Sequence, residues 1–191
     1  MAELQNDVLV DCNSNNRNGG IKRIFVSNRE NIDTFTAGSV NDYTSVTMDA
    51  TSDVWFEVQI DDKAGSIISE PTNENGSTMN ANTVEATIPK LDKTKAFALQ
   101  QLVDSCKVIA IVETYNSTGT YNQAFVVGYD EVLKKDAALM CLVAQTLESG
   151  LQGQNAYTLT MEGESKELIR EYVGTIVAYD GGSNTIVNFG S

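Results

Sequence analysis

TVEATIPKLDKTKAFALQQLVDSCKVIAIVET, Thr83 to Thr114, is the stretch whose reading decides the fold. It opens with Val84, Ala86 and Ile88 alternating against Thr83, Glu85 and Thr87, the two-residue period of a strand with one buried face. IPKLD ends that strand, and Asp92 stands where its side chain can accept the free amide hydrogens of a helical first turn. From Lys93 to about Cys106, Ala96, Leu99, Leu102, Val103 and Cys106 recur at steps of three and four and make one apolar stripe. Lys93 and Lys95 oppose the helix dipole at this end, a small penalty that packing must outweigh. KVIAIVET follows as a nearly unbroken apolar run, the pattern of a strand buried on both faces. This order predicts a mainly β, α+β chain with one flanking helix.

Working outward, the turn at Asn116 to Gly119 leads into TYNQAFVVG and predicts a hairpin. DAALMCLVAQTLESG fits either a helix, through Leu139, Leu142, Val143 and Thr146, or a strand, through Leu139, Cys141 and Val143. NAYTLTMEG alternates through Tyr157, Leu159 and Met161. VGTIVAY and NTIVNFG flank Asp180 to Ser183, a tight-turn signal that joins two C-terminal strands.

Upstream, Ile21 to Val26 reads as a short strand with Ile24 and Val26 set against Arg23 and Phe25. Ser27 to Asp53 is polar and reads as a long loop or short edge strands. VWFEVQI places Val54, Phe56, Val58 and Ile60 on one face and Trp55, Glu57 and Gln59 on the polar face. With TVEATI as its partner, Val54 to Lys90 is expected to be one long β-hairpin, tip at Pro71 to Gly76, too long to stand without a covering neighbour. The whole of residues 1–191 reads as one domain, with 1–20 a possible arm.

Composition narrows the chemistry. The chain has 191 residues, no histidine and a formal charge of −13, so its surface repels nucleic-acid phosphates. A Ser-His-Asp or Cys-His site is impossible within it. Cys12, Cys106 and Cys141 form no CxxC pair and are expected to be buried free thiols in a reducing compartment. The pairs Asp61–Asp62 and Glu162–Glu164 read as acidic turns, and the glycine pairs match no phosphate loop. No catalytic residue, metal site or cofactor is expected. The start lacks a signal-peptide pattern and no stretch approaches the ~20 apolar residues of a membrane span, so the expected place of synthesis is the cytoplasm, with no membrane partner.

CNSNNRNGGIKRIFVSNRENI (Cys12–Ile32), TVEATIPKLDKTKAFALQQLV (Thr83–Val103), YNQAFVVGYD (Tyr121–Asp130) and LESGLQGQNAYTLTMEGE (Leu147–Glu164), taken together, resemble one family: the short virion proteins of tailed phages that infect Bacteroidetes, including crAss-like phages. The resemblance spans roughly residues 12 to 172 and tips Ala137 to Ser149 towards strand. It implies a tail-tube-like twisted β-sandwich or barrel with a long hairpin and one helix. It also implies assembly into a homo-oligomeric ring, hexamer or dodecamer, of the tail or neck, through which DNA passes without adhering. Other tail and neck proteins would be its neighbours in the virion. GESKELIREYV and the C-terminal hairpin of residues 173–191 depart from the family pattern. The hairpin acids Glu57, Asp61, Asp62, Glu70, Glu74 and Glu85, with Trp55, are the expected lumen or interface residues. A second expectation, of another class, is a ligand- or carbohydrate-binding β-sandwich of a phage fibre, using open aromatics at Trp55, Tyr43 and Tyr115.

Overall fold

The computed structural model describes residues 20–60, 64–74, 77–105, 107–117, 120–149, 155–180 and 183–190. In chain order these form β1 (Ile21–Asn28), β2 (Ile32–Ala37), β3 (Asp42–Met48), β4 (Trp55–Val58), β5 (Gly65–Glu74), β6 (Ser77–Pro89) and α1 (Lys93–Asp104). β7 (Val108–Ser117), β8 (Asn122–Val127), β9 (Met140–Leu147), β10 (Asn155–Ser165), β11 (Arg170–Tyr172), β12 (Thr175–Asp180) and β13 (Ser183–Asn188) follow. The chain is mainly β with one helix. Nine strands join in the order β13-β12-β4-β1-β7-β8-β11-β3-β2, and four in the order β5-β6-β10-β9.

β7 explains how the two sheets fit. Val108, Ala110 and Val112 point into an aliphatic core shared with Val84, Ala86 and Ile88 of β6 and Tyr157, Leu159 and Met161 of β10. Ile109 and Ile111 point the other way, into a second core on the concave side of the nine-stranded sheet. The unbroken apolar run is therefore a strand between two cores.

That concave side is closed by curling. β11 and β12 lie five places apart in the strand order, yet only Val173 and Gly174 join them. A link this short forces the sheet to bend until its distant strands face each other, and a half-barrel results. The Val173 amide donates to the Tyr43 carbonyl at 2.9 Å, and the Phe189 amide to the Gly174 carbonyl at 3.0 Å. Backbone passes so close here that a Cβ on Gly174 would sit 2.3 Å from the Thr44 carbonyl oxygen, which only glycine avoids. Aromatic rings fill the half-barrel. Phe35 is their hub, 4.7 Å from the Tyr129 ring, 5.3 Å from Tyr43, 6.1 Å from Tyr172 and 6.4 Å from Trp55.

The helix forms as its sequence directs. Asp92 Oδ1 accepts from the Thr94 amide at 2.7 Å, Leu99 is buried, and Ala96, Leu102 and Val103 pack on the aliphatic core. The Lys95 ammonium, badly placed for the dipole, donates instead to the Pro89 carbonyl at 2.6 Å. Cys106 lies outside the described residues. Ala137 to Ser149 yields strand β9, and the C-terminal hairpin is β12–β13.

Three expectations need correction. VWFEVQI does not pair with TVEATI; β4 lies between β1 and β12 in the nine-stranded sheet. The long hairpin is β5–β6 alone, paired without a break from Gly65↔Ala86 to Glu74↔Ser77. Part of its cover comes from its own chain, because β10 pairs with β6 from Pro89 to Asn80 and leaves Thr72–Glu74 and Ser77–Met79 as a two-stranded ribbon. Trp55 and Phe25 are buried in the concave core, at 1% and 0% exposure, while Phe56 is half exposed. The alternation was sound, but in a sheet between two cores the "polar" face can be an inside face. The polar run from Ser27 to Asp53 contains two strands at one end of the nine-stranded sheet, β2 at the margin and β3 paired on both sides, with Phe35 and Tyr43 as anchors.

Candidate functional site

The four-stranded sheet gives one face to the aliphatic core and turns the other outward. Alternation sorts the side chains: Val84, Ala86, Leu159, Met161 and Cys141 point in, so Glu85, Thr160, Glu162 and Leu142 point out. Strand register then builds rows across the outer face. Leu142, Thr160, Glu85 and Ser66 form one; Met140, Glu162, Thr83 and Ile68 the next; Glu164, Ala81 and Glu70 a third.

Glu70, Glu85, Glu162 and Glu164 are all exposed on this face. Neither lysine nor arginine occurs in any of the four strands. Glu70 and Glu164 flank the same β6 residue, about 10 Å apart by strand spacing. Glu162 and Glu164 are about 7 Å apart along β10. These separations are close to one Debye length at physiological salt, about 8 Å, so the carboxylates act as a shared negative field. Such a face repels polyanions and offers phosphate no counter-charge.

The margins of this sheet differ from its centre. Ile68, 46% exposed, stands on the outer strand β5; Met140 and Leu142, 55% and 52% exposed, stand on the opposite outer strand β9. Apolar side chains thus mark both edges, and threonine and glutamate fill the middle.

Of the residues expected at the site, Glu70 and Glu85 lie on this face. Glu57 is exposed but belongs to β4, opposite Phe25. Glu74 closes β5 opposite Ser77. Asp61 and Asp62 lie outside the described residues. Trp55 is inside the half-barrel and cannot present a ring to a partner. Glu162 and Glu164 are not in a turn; they sit on β10, and continuing the alternation of NAYTLTMEGE past Met161 was the signal that placed them outward.

Two other ionisable groups are buried among packed side chains. Glu113 is buried in β7, where it accepts from Asn122 at 2.7 Å and Lys22 at 3.0 Å and pairs with Arg23 at 2.5 Å. Burial pushes its carboxyl up, but these three partners outweigh that and hold it below the ordinary carboxylate value. Burial pushes the free Cys141 thiol up to about 12, which leaves it no thiolate for nucleophilic work. Among the described residues no group of three or more acidic or cysteine side chains is arranged to hold a metal ion. No helix among them is long and apolar enough to cross a membrane.

One concavity stands out. A groove of about 550 Å³ runs between α1 and the β1–β4 pair, with Val26, Val58, Ile88, Leu99 and Leu102 along it and Lys95 at its side. No protein-family model, curated protein or solved structure matches the chain.

Proposed function

We propose that the protein is a ring-forming structural subunit of a tailed-phage tail or neck, in which the outer face of the four-stranded sheet lines a passage for DNA. The observation that carries this reading is the cation-free acidic face set between two apolar edges. If β9 of one copy lies against β5 of the next, Met140 and Leu142 meet Ile68, and two exposed strand edges are covered at once. Such a contact joins different surfaces of identical chains, so it repeats around a ring and closes when the rotation allows. The carboxylates then face a common axis. DNA passes a wall that supplies no lysine or arginine to displace its counterions. The ribbon of Thr72–Glu74 and Ser77–Met79 extends beyond the third strand, which suits it to reach a neighbouring copy.

The carbohydrate-module alternative required open aromatic faces. Trp55 and Tyr43, two of its three aromatics, lie inside the half-barrel, while Tyr115 is half-buried.

Electron microscopy of the concentrated protein, with native mass spectrometry, tests the proposal. Closed rings with an open centre and the β10 carboxylates on the inner wall are expected. A monomer at every concentration, or rings with those carboxylates outside, would overturn it.

A further inference from the structure

We infer that β13 is a docking edge for a second copy of this chain, the two β13 strands pairing antiparallel about a two-fold axis at Ile186. The edge itself is the first observation. β13 ends the nine-stranded sheet and, among the described residues, pairs with β12 alone, without a shift from Thr175↔Asn188 to Asp180↔Ser183. The Phe189 amide donates to the Gly174 carbonyl at 3.0 Å. By strand alternation Val187 and Thr185 continue the bonds to β12, and Asn184, Ile186 and Asn188 turn their amides and carbonyls outward. Ser183–Asn188 holds no charged residue and no proline. The sheet's other margin, β2, carries Asp33 and two register shifts against β3, devices that keep a margin from pairing. β13 has none of them.

The face beside this edge is the second observation. Phe56 lies opposite Val26, so it stands on the side of the sheet that elsewhere meets the aliphatic core. Tyr179 pairs with Phe56, their rings 5.8 Å apart, and Val177 pairs with Ile186. Here nothing covers them: Phe56, Val177 and Tyr179 are half exposed, and Ile186 is 73% exposed. Thr175, Asn184 and Asn188 share this face by alternation, and none of these residues is charged.

Symmetry and charge select a second copy as the occupant. With Ile186 opposite Ile186, Asn184 of each copy falls opposite Asn188 of the other, and all three outward residues of both strands bond across the joint. Val177 and Ile186 of one copy then run into Ile186 and Val177 of the other as one apolar row. A net charge of −13 makes copies repel over most of their surfaces, and the approaching strands here add none of that charge. A two-fold contact consumes both β13 edges, while the guarded β2 margins admit no further strand, so the sheet stops growing at two copies. The contact uses neither β5 nor β9 and stands apart from ring formation.

Ile186→Cys in the full chain, oxidised and mapped by mass spectrometry, tests the register. A bonded antiparallel pair sets its Cα atoms about 5.5 Å apart, within disulfide reach, so the two introduced thiols should join. Thr175→Cys is the control: three strand spacings, about 14 Å, part its two copies, and no bridge is expected. Native mass spectrometry of the concentrated wild type should show dimers, or even-numbered assemblies where rings also form. Ile186→Lys alters an exposed side chain, so the urea midpoint should hold while pairing weakens about tenfold or more, as like charges meet on the axis. A monomer at every concentration, no bridge at position 186, equal bridging at position 175, or dimers untouched by Ile186→Lys would overturn the inference. Leu142→Lys on β9 should leave the β13 pairing intact and disrupt only the ring, so the two proposals fail separately.

Discussion

The two sheets share an aliphatic core and differ in what they do with their other faces. The nine-stranded sheet curls its second face around Phe25, Phe35, Tyr43, Trp55, Tyr129, Tyr172 and Phe189 and so buries it. The four-stranded sheet stays open, with glutamate and threonine outward and apolar side chains at both margins. Substitutions within the half-barrel should act on stability, and those on the open sheet on association. A chain built this way buries both faces of one sheet along its middle strands and leaves the other with an exposed face between two outer strands.

The sharpest way to break the contrast is in the half-barrel. Trp55→Ala should cost about 3–5 kcal/mol, read from urea unfolding, because the ring is fully buried against Phe35. A loss below ~1 kcal/mol would mean that the aromatic core does not hold the curl. Gly174→Ala tests the crossing itself. Its new methyl group meets the Thr44 carbonyl, and a loss of about 1–3 kcal/mol is expected as backbone shifts to admit it.

Glu113 gives a subtler test through pH. Its folded-state value lies below the ordinary 4.5, so its contribution is fully present above that value and is lost as pH falls through the lowered one. Unfolding midpoints for the wild type and Glu113→Gln, measured from about pH 7 to about pH 3, should differ at the neutral end and converge at the acid end. A gap that widens on acidification would contradict the sign.

On the open sheet the stability effect should be smallest and the change in binding plainest. Converting Glu70, Glu85, Glu162 and Glu164 to lysine should move stability by about 0.5 kcal/mol or less per site, since all four are exposed. The same variant should acquire salt-sensitive affinity for duplex DNA in a filter-binding assay. Glu85→Gln alone should do neither. Tight wild-type binding at physiological salt would remove the distinction between the two sheets.

Much of this arrangement was legible in the residues. The unbroken KVIAIVET run announced a strand between two layers, Asp92 announced the helix start, and alternation in NAYTLTMEG fixed which residues of β10 enter the core. What alternation cannot supply is which of two faces is inside when both are. Trp55 was placed outward because Glu57 and Gln59 share its side, yet the curl of strands far away in sequence makes that side an interior. Pairing was hidden for a similar reason. β4 finds its partners in β1 and in β12, and nothing local to VWFEVQI distinguishes those from TVEATI. The acidic face was half visible: Glu70 and Glu85 were read on the hairpin, but Glu162 and Glu164 needed the β6–β10 register to join them.

The two-residue crossing at Val173 and Gly174 has a consequence in time. β4 receives its β12 partner through Trp55↔Ala178, a separation of 178 − 55 = 123 residues. During synthesis β4 can pair with β1 on one side, but its other side is an open edge carrying a large apolar ring until β12 has been made. Loops of that length close late, so the half-barrel should be the last part of the molecule to become protected. Pulse-labelled hydrogen exchange during refolding should find the β4 amides that face β12 guarded only when those of β12 are, well after the β6–β10 pair. The short link near the end of the chain is then a clasp: it fixes the order of events as well as the shape.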